Sequence, residues 1–89
     1  MPEERQSLLE FPCAFPIKIM GQSEDGFAQA VLEMVLRHAP DFDAATMEMR
    51  ASSAGRYLGL TCTINAVSRE QLDLLYRELS AHRLVKLVL

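Results

Sequence analysis

The chain has 89 residues, 49% of them hydrophobic and 24% charged, with a formal net charge of −3. That length supports one small core and leaves little chain to enclose a deep pocket. The acidic balance, with no two Lys or Arg adjacent, excludes the basic stripe that neutralises nucleic-acid phosphates or anionic membranes, and no apolar run approaches the ~20 residues of a membrane span.

Residues 1–10 are polar and charged, with Glu3, Glu4 and Arg5 among them. They lack the apolar stretch of a secretory signal, so a cytoplasmic location is expected. They read as a flexible N-terminal segment ahead of a single domain at 11–89. From Phe15, the alternation of Phe15, Ile17 and Ile19 with Pro16, Lys18 and Met20 predicts a half-buried strand, which Gly21 is expected to stop. Ser23, Glu24 and Asp25 give an acidic start suited to the positive end of a helix dipole. Phe27, Val31, Met34, Val35 and His38 then share one helical face, opposite Gln29, Glu33 and Arg37. Pro40 ends the helix, because it disfavours helical geometry in the residue before it.

Asp41 to Ala45 read as a loop, followed by a second alternating stretch, Met47, Met49 and Ala51 against Glu48, Arg50 and Ser52. Ser53, Ala54, Gly55 and Arg56 form a hairpin turn. The returning strand places Leu58, Leu60, Cys62 and Ile64 inward, with Tyr57, Gly59, Thr61, Thr63 and Asn65 outward. Ser68 with Gln71 three residues on is a capping box, and Val67 and Leu72 are spaced to staple across it. Leu72, Leu75, Tyr76 and Leu79 make the apolar stripe of that helix, and Leu84 to Leu89, broken by Lys86, read as an edge strand. Strand, helix, strand, strand, helix, strand, with right-handed crossovers, is the ferredoxin-like α+β arrangement: a four-stranded antiparallel sheet with both helices on one face.

Few groups here suggest chemistry. His38 ends the first helix on its inward face, with no Cys, Ser or Asp at a spacing that would orient it as a base, and His82 sits at a helix end beside Arg83. The two histidines lack short metal spacing, and Cys13 and Cys62 stand alone, so neither metal nor cofactor is expected and both thiols are read as structural. Met34, Met47 and Met49 fall on core faces, where Met fills gaps. Two surfaces are left for binding. Gly21, Gln22 and Ser23 lead from a strand into a helix, where free backbone donors would hold a carboxylate or phosphate. The outward sheet face, with Lys18, Met20, Tyr57, Thr61, Thr63, Leu84 and Val88, lacks the aromatic residues on central strands that stack RNA bases, and suits a protein partner through Lys18, Thr61 and Thr63. Leu36 and Leu74, on the outer helix faces, point the same way.

Several blocks taken together resemble a known family. Leu8-Leu9-Glu10-Phe11-Pro12, Met20-Gly21-Gln22, Arg37-His38-Ala39-Pro40, Ser52-Ser53 with Gly55 and Tyr57, Thr63-Ile64-Asn65-Ala66, Leu75-Tyr76 with Glu78-Leu79, and Val88-Leu89 occur in the order seen in the YbeD-like family of small bacterial proteins of unknown function. The chain departs from that pattern at Cys13 and in the Asp43 to Met47 loop. The resemblance implies a ferredoxin-like fold similar to ACT-type regulatory domains, which bind small effectors such as amino acids. It also suggests a link to lipoate metabolism, because such proteins tend to be encoded beside lipoate-attachment enzymes. It supplies no catalytic residues.

The expectation is therefore a regulatory or adaptor module, not an enzyme, acting on a small effector or a protein partner. An effector is expected at Gly21, Gln22 and Ser23, at the interface of a homodimer. A pure protein-interaction domain using the open sheet face is the alternative. A small enzyme relying on His38 ranks last.

Overall fold

The computed structural model describes residues 10–89; the expectation of a flexible N-terminal segment lies almost wholly outside them. The elements are β1 (Cys13–Gln22), α1 (Phe27–His38), a 3₁₀ turn (Ala44–Thr46), β2 (Glu48–Ala51), β3 (Tyr57–Ala66), α2 (Arg69–Ala81) and β4 (Val85–Val88). The four strands form one antiparallel sheet in the order β2-β3-β1-β4. This is the predicted ferredoxin-like α+β topology, and no helix is long and apolar enough to cross a membrane.

Alternation sorts the side chains of the central strands onto two faces. Ile17 and Ile19 of β1 and Leu60, Cys62 and Ile64 of β3 are buried against the helices, where Phe27, Val31, Val35, Leu75 and Leu79 meet them. Phe42, from the loop after α1, adds a core side chain that no periodic pattern announces. Gly21 does not stop β1, which runs on to Gln22. A Cβ on Gly21 would fall inside contact distance of the Leu84 carbonyl oxygen and 2.5 Å from Phe27 Cζ, so glycine is what lets β4 and α1 close over this point.

Three expectations about burial need correction. The pairs Ile19–Val88, Met20–Leu87 and Gly21–Val85 place one extra residue in β4, and this bulge resets the strand's alternation. Leu84, in the turn before β4, is buried; Val88, paired with the inward Ile19, faces the helices, and Leu87, paired with Met20, stands on the outer face. Met49 is exposed, because edge strand β2 pairs only with β3 and lies at the margin of the helical layer. Leu36 packs against the core, whereas Leu74 is exposed.

The local signals at the turns act much as their chemistry requires. Gly55 takes φ 75° in the β2–β3 hairpin, and Tyr57 N and Ser52 Oγ close it at 3.1 Å. Ser68 Oγ accepts from Gln71 N at 3.0 Å, while Gln71 Oε1 reaches back to accept from Val67 N at 2.7 Å, one residue beyond the usual partner. Val67 itself stays 55% exposed, so the apolar staple contributes little burial. At the start of α1 the cap is Gly26 with φ 89°, and Ser23, Glu24 and Asp25 precede the helix instead of occupying its first turn.

Candidate functional site

Two places gather polar or reactive side chains, on opposite sides of the sheet. On the helical side, Glu78 of α2 meets the end of α1. Its Oε1 lies 2.7 Å from His38 Nε2, and Oε2 pairs with Arg37 Nη2. Gln71 Nε2 donates to the His38 carbonyl oxygen at 2.8 Å, tying the same two helices again. The Arg37 guanidinium, more than His38, holds the Glu78 carboxyl below its ordinary range, and Glu78 in turn raises Arg37. Residues near His38 in the chain offer it no orienting partner; the fold supplies one 40 residues away. Spacing along the chain carries no trace of it, although Glu78 stands beside the core residue Leu79. Among the described residues no group of three His, Cys, Asp or Glu side chains is placed to hold a metal ion.

His82 Nδ1 accepts from Leu84 N at 3.2 Å, so this ring closes the turn into β4. Cys62 is buried in the core, and burial pushes its thiol up to about 11. A thiol held that far from thiolate is a poor nucleophile near neutral pH.

The strand-to-helix turn is more closed than its sequence suggests. Its amides were expected to be free, but Gln22 N donates to the Leu84 carbonyl at 3.1 Å and Ser23 N to the Arg56 carbonyl at 2.8 Å. Glu24 N bonds to the Gln22 carbonyl at 2.9 Å, and Gly21 is buried under Phe27 and Leu84. These donors are spent on joining β4 and the β2–β3 hairpin to the turn, which a linear reading does not reveal.

The second place is the outer face of the sheet. Lys18 pairs with Thr61, and Thr61 with Glu48; Met20 pairs with Gly59, and Gly59 with Arg50. Pro16 and Thr63 form the next pair along. Lys18, Thr61 and Thr63 thus share one surface. A recess of ≈ 520 Å³ lies there, with Gly59 as its floor and Lys18, Met20, Arg50, Tyr57, Leu87 and Leu89 in its walls. Exposures of 46% for Met20, 40% for Tyr57, 48% for Leu87 and 64% for Leu89 leave apolar surface open to water. The ion pairs among the described residues are Arg37–Glu78, His38–Glu78 and Arg83–Glu24. Lys18, Glu48 and Arg50 take part in none of them. A concave, mostly apolar surface with a few charged groups has the character of a binding site.

Comparison with known proteins shows which family the chain belongs to. Residues 6–89 match the family described as "Protein of unknown function (DUF493)". A UPF0250 protein of Nitrosomonas europaea is 57% identical over 84 residues, 94% of this chain and 97% of its own. One from Leptothrix cholodnii is 56% identical over 89 residues, covering 100% of this chain and 97% of its own, and one from Chromobacterium violaceum is 48% identical over the full length of both. With near-complete coverage at such identity, the chain belongs to the DUF493 (UPF0250) family of small bacterial proteins, the same family that its YbeD-like blocks indicate.

Proposed function

We propose that this protein is a regulatory or adaptor module of the cytoplasm that acts by binding, with the outer face of its sheet as the working surface. The single observation that carries the reading is the recess over Gly59, bordered by exposed apolar side chains and by charges that enter no ion pair among the described residues. An antiparallel sheet that meets only water on one face ordinarily alternates cleanly to polar residues there. Met20, Leu87 and Leu89 break that rule, and exposed apolar patches of this kind mark interaction sites. The resemblance to ACT-type domains favours a regulatory role, and it makes amino acids, lipoate and octanoate the first small molecules to try. Reactive side chains engaged elsewhere support binding over catalysis. His38 is held against Glu78, His82 closes a turn, and Cys62 is buried.

The outer face is preferred to the turn at Gly21, Gln22 and Ser23 because the turn's amides already have partners. The test sets the wild-type chain beside Thr61→Arg, which puts a long cation across the recess floor. Each is immobilised against a cell extract, with captured proteins identified by mass, and each is melted with amino acids, lipoate and octanoate. A partner or a melting shift seen with wild type and lost with Thr61→Arg is expected. Equal behaviour of the two chains in every assay excludes the outer face as the working surface.

A further inference from the structure

The outer face is complementary to itself, and we infer that its occupant is a second copy of this chain, packed face to face about a two-fold axis running between β1 and β3. This rests on reading that face as a binding surface. Gly59 is the starting point. Its φ is not positive, and a Cβ there would meet nothing nearer than the Arg50 carbonyl oxygen at 3.7 Å. Neither backbone geometry nor packing among the described residues calls for glycine in the middle of this central strand. Glycine at such a position weakens a strand and marks a place where another group approaches closely.

The group that fits is in register beside it. Met20 and Gly59 are a β1–β3 pair, both on the outer face. An axis parallel to the strands and midway between β1 and β3 exchanges those two positions. The Met20 side chain of each copy then stands over the dent at Gly59 of the other. Two sheets packed this way lie about 10 Å apart, a distance that an unbranched Met side chain spans into a floor with no side chain of its own.

The charges obey the same operator. Lys18 and Thr61 are also a β1–β3 pair, and Glu48 flanks Thr61 on β2. The exchange sets Lys18 of one copy over Thr61 of the other, beside Glu48. Two reciprocal ion pairs follow, formed by groups that take part in no ion pair among the described residues. The axis also superposes β4 on β2, so Leu87 lies along the stem of Arg50, whose head stays at the rim in water. A contact in which each residue meets its counterpart's neighbour twice is the isologous type that closes dimers. The face is that of a single four-stranded sheet whose outer strands are only four residues long, at the small end of specific interfaces, so the dimer dissociates on dilution.

The experiment is sedimentation equilibrium of the full chain across a dilution series, with circular dichroism as the check on folding. Wild type is expected at twice the 10.0 kDa chain mass when concentrated, falling to one chain mass on dilution. Gly59→Leu, which fills the dent, and Lys18→Glu, which faces like against like, are each expected to stay at one chain mass while folded. The double variant Lys18→Glu with Glu48→Lys restores the dimer. A single-chain mass for wild type at every concentration overturns the proposal, as does a dimer that survives both single variants, or a double variant that fails to recover. If wild type is monomeric but captures a foreign partner that Thr61→Arg releases, self-pairing fails and the outer-face reading stands. If Thr61→Arg also changes nothing, both fall.

Discussion

Glu78 Oε1 and His38 Nε2 lie 2.7 Å apart, across 40 residues of chain, and the second oxygen of the same carboxylate takes Arg37. One carboxylate thus fastens the last turn of α1 to α2. It is only about one-third exposed, whereas Arg37 is largely open to water. The pairing therefore acts as a surface clasp, not a buried charge, and surface clasps of this kind are weak.

The clasp predicts an acid-sensitive contribution to stability. The Arg37 contact, opposed by partial desolvation and helped by His38, holds the Glu78 carboxyl below its ordinary value of 4.5. A group depressed on folding contributes stability that is present above the unfolded value and lost as pH falls through the folded one. Wild type should therefore exceed Glu78→Gln in urea midpoint at about pH 7, and the gap should shrink and close as pH falls below the ordinary carboxyl value and through the lowered one. The loss at neutral pH should be smaller than that of any core truncation. A gap that widens in acid would show that the carboxylate costs stability when ionised.

Glycine at positions 21 and 59 should respond to alanine in opposite senses. At Gly21 the new methyl meets a backbone carbonyl and the Phe27 ring, neither of which yields easily. Overpacking of this sort costs about 1–3 kcal/mol. At Gly59 the nearest atom is 3.7 Å away and the backbone is ordinary β, so Gly59→Ala should be neutral or gain about 0.5 kcal/mol by restricting the unfolded chain. Chemical denaturation of both variants decides the matter. Equal losses at the two sites would mean that the contact at Leu84 does not set the requirement at Gly21.

Much of this architecture is legible in the chain because it is local. Alternation at Ile17, Ile19, Leu60, Cys62 and Ile64 marks the core strands, and Ser68 with Gln71 marks a helix start. Pro16 is instructive, since a proline in a central strand ordinarily breaks a ladder. Lys18 N donates to the Leu89 carbonyl, so the ring nitrogen two residues earlier faces the same side, beyond the reach of β4 along β1. What stayed hidden depends on chain segments meeting late. The register of β4 against β1, with Val88 beside Ile19, decides whether Leu87 or Val88 faces out, Phe42 enters the core from a loop, and Arg56 and Leu84 consume the amides of the turn after β1. The outer face was recognisable as a set of outward positions, but its recess arises from how Gly59, Met20 and Leu87 align across three strands.

The two cysteines should separate cleanly under alkylation. Cys62 is fully enclosed, and burial pushes its thiol up to about 11, whereas Cys13 is half-exposed at the start of β1. Only the thiolate reacts. Native protein at about pH 8 should therefore take one iodoacetamide, at Cys13, and the second only in denaturant, with intact mass as the readout. Equal rates at both sites would mean that the sheet opens between β3 and the helices far more often than its packing implies.

Gln71 carries more than a helix cap. Its amide oxygen accepts from Val67 N, its own backbone N–H binds Ser68 Oγ, and its amide nitrogen donates to the His38 carbonyl. Ser68→Ala removes the hydroxyl alone and should cost about 1 kcal/mol, the usual worth of an N-cap. Gln71→Ala leaves the hydroxyl in place but deletes both side-chain bonds, each worth about 1 kcal/mol net, so it should cost about 2 kcal/mol. Gln71→Glu keeps an acceptor for Val67 N and loses the donor to His38, turning a carboxylate towards a carbonyl oxygen. It should fall between the other two if capping dominates, and match or exceed Gln71→Ala if the link between the helices matters more. Urea titration of the three variants ranks them. A Gln71→Ala no worse than Ser68→Ala would show that the bond to His38 contributes nothing, and that Glu78 alone fastens the end of α1.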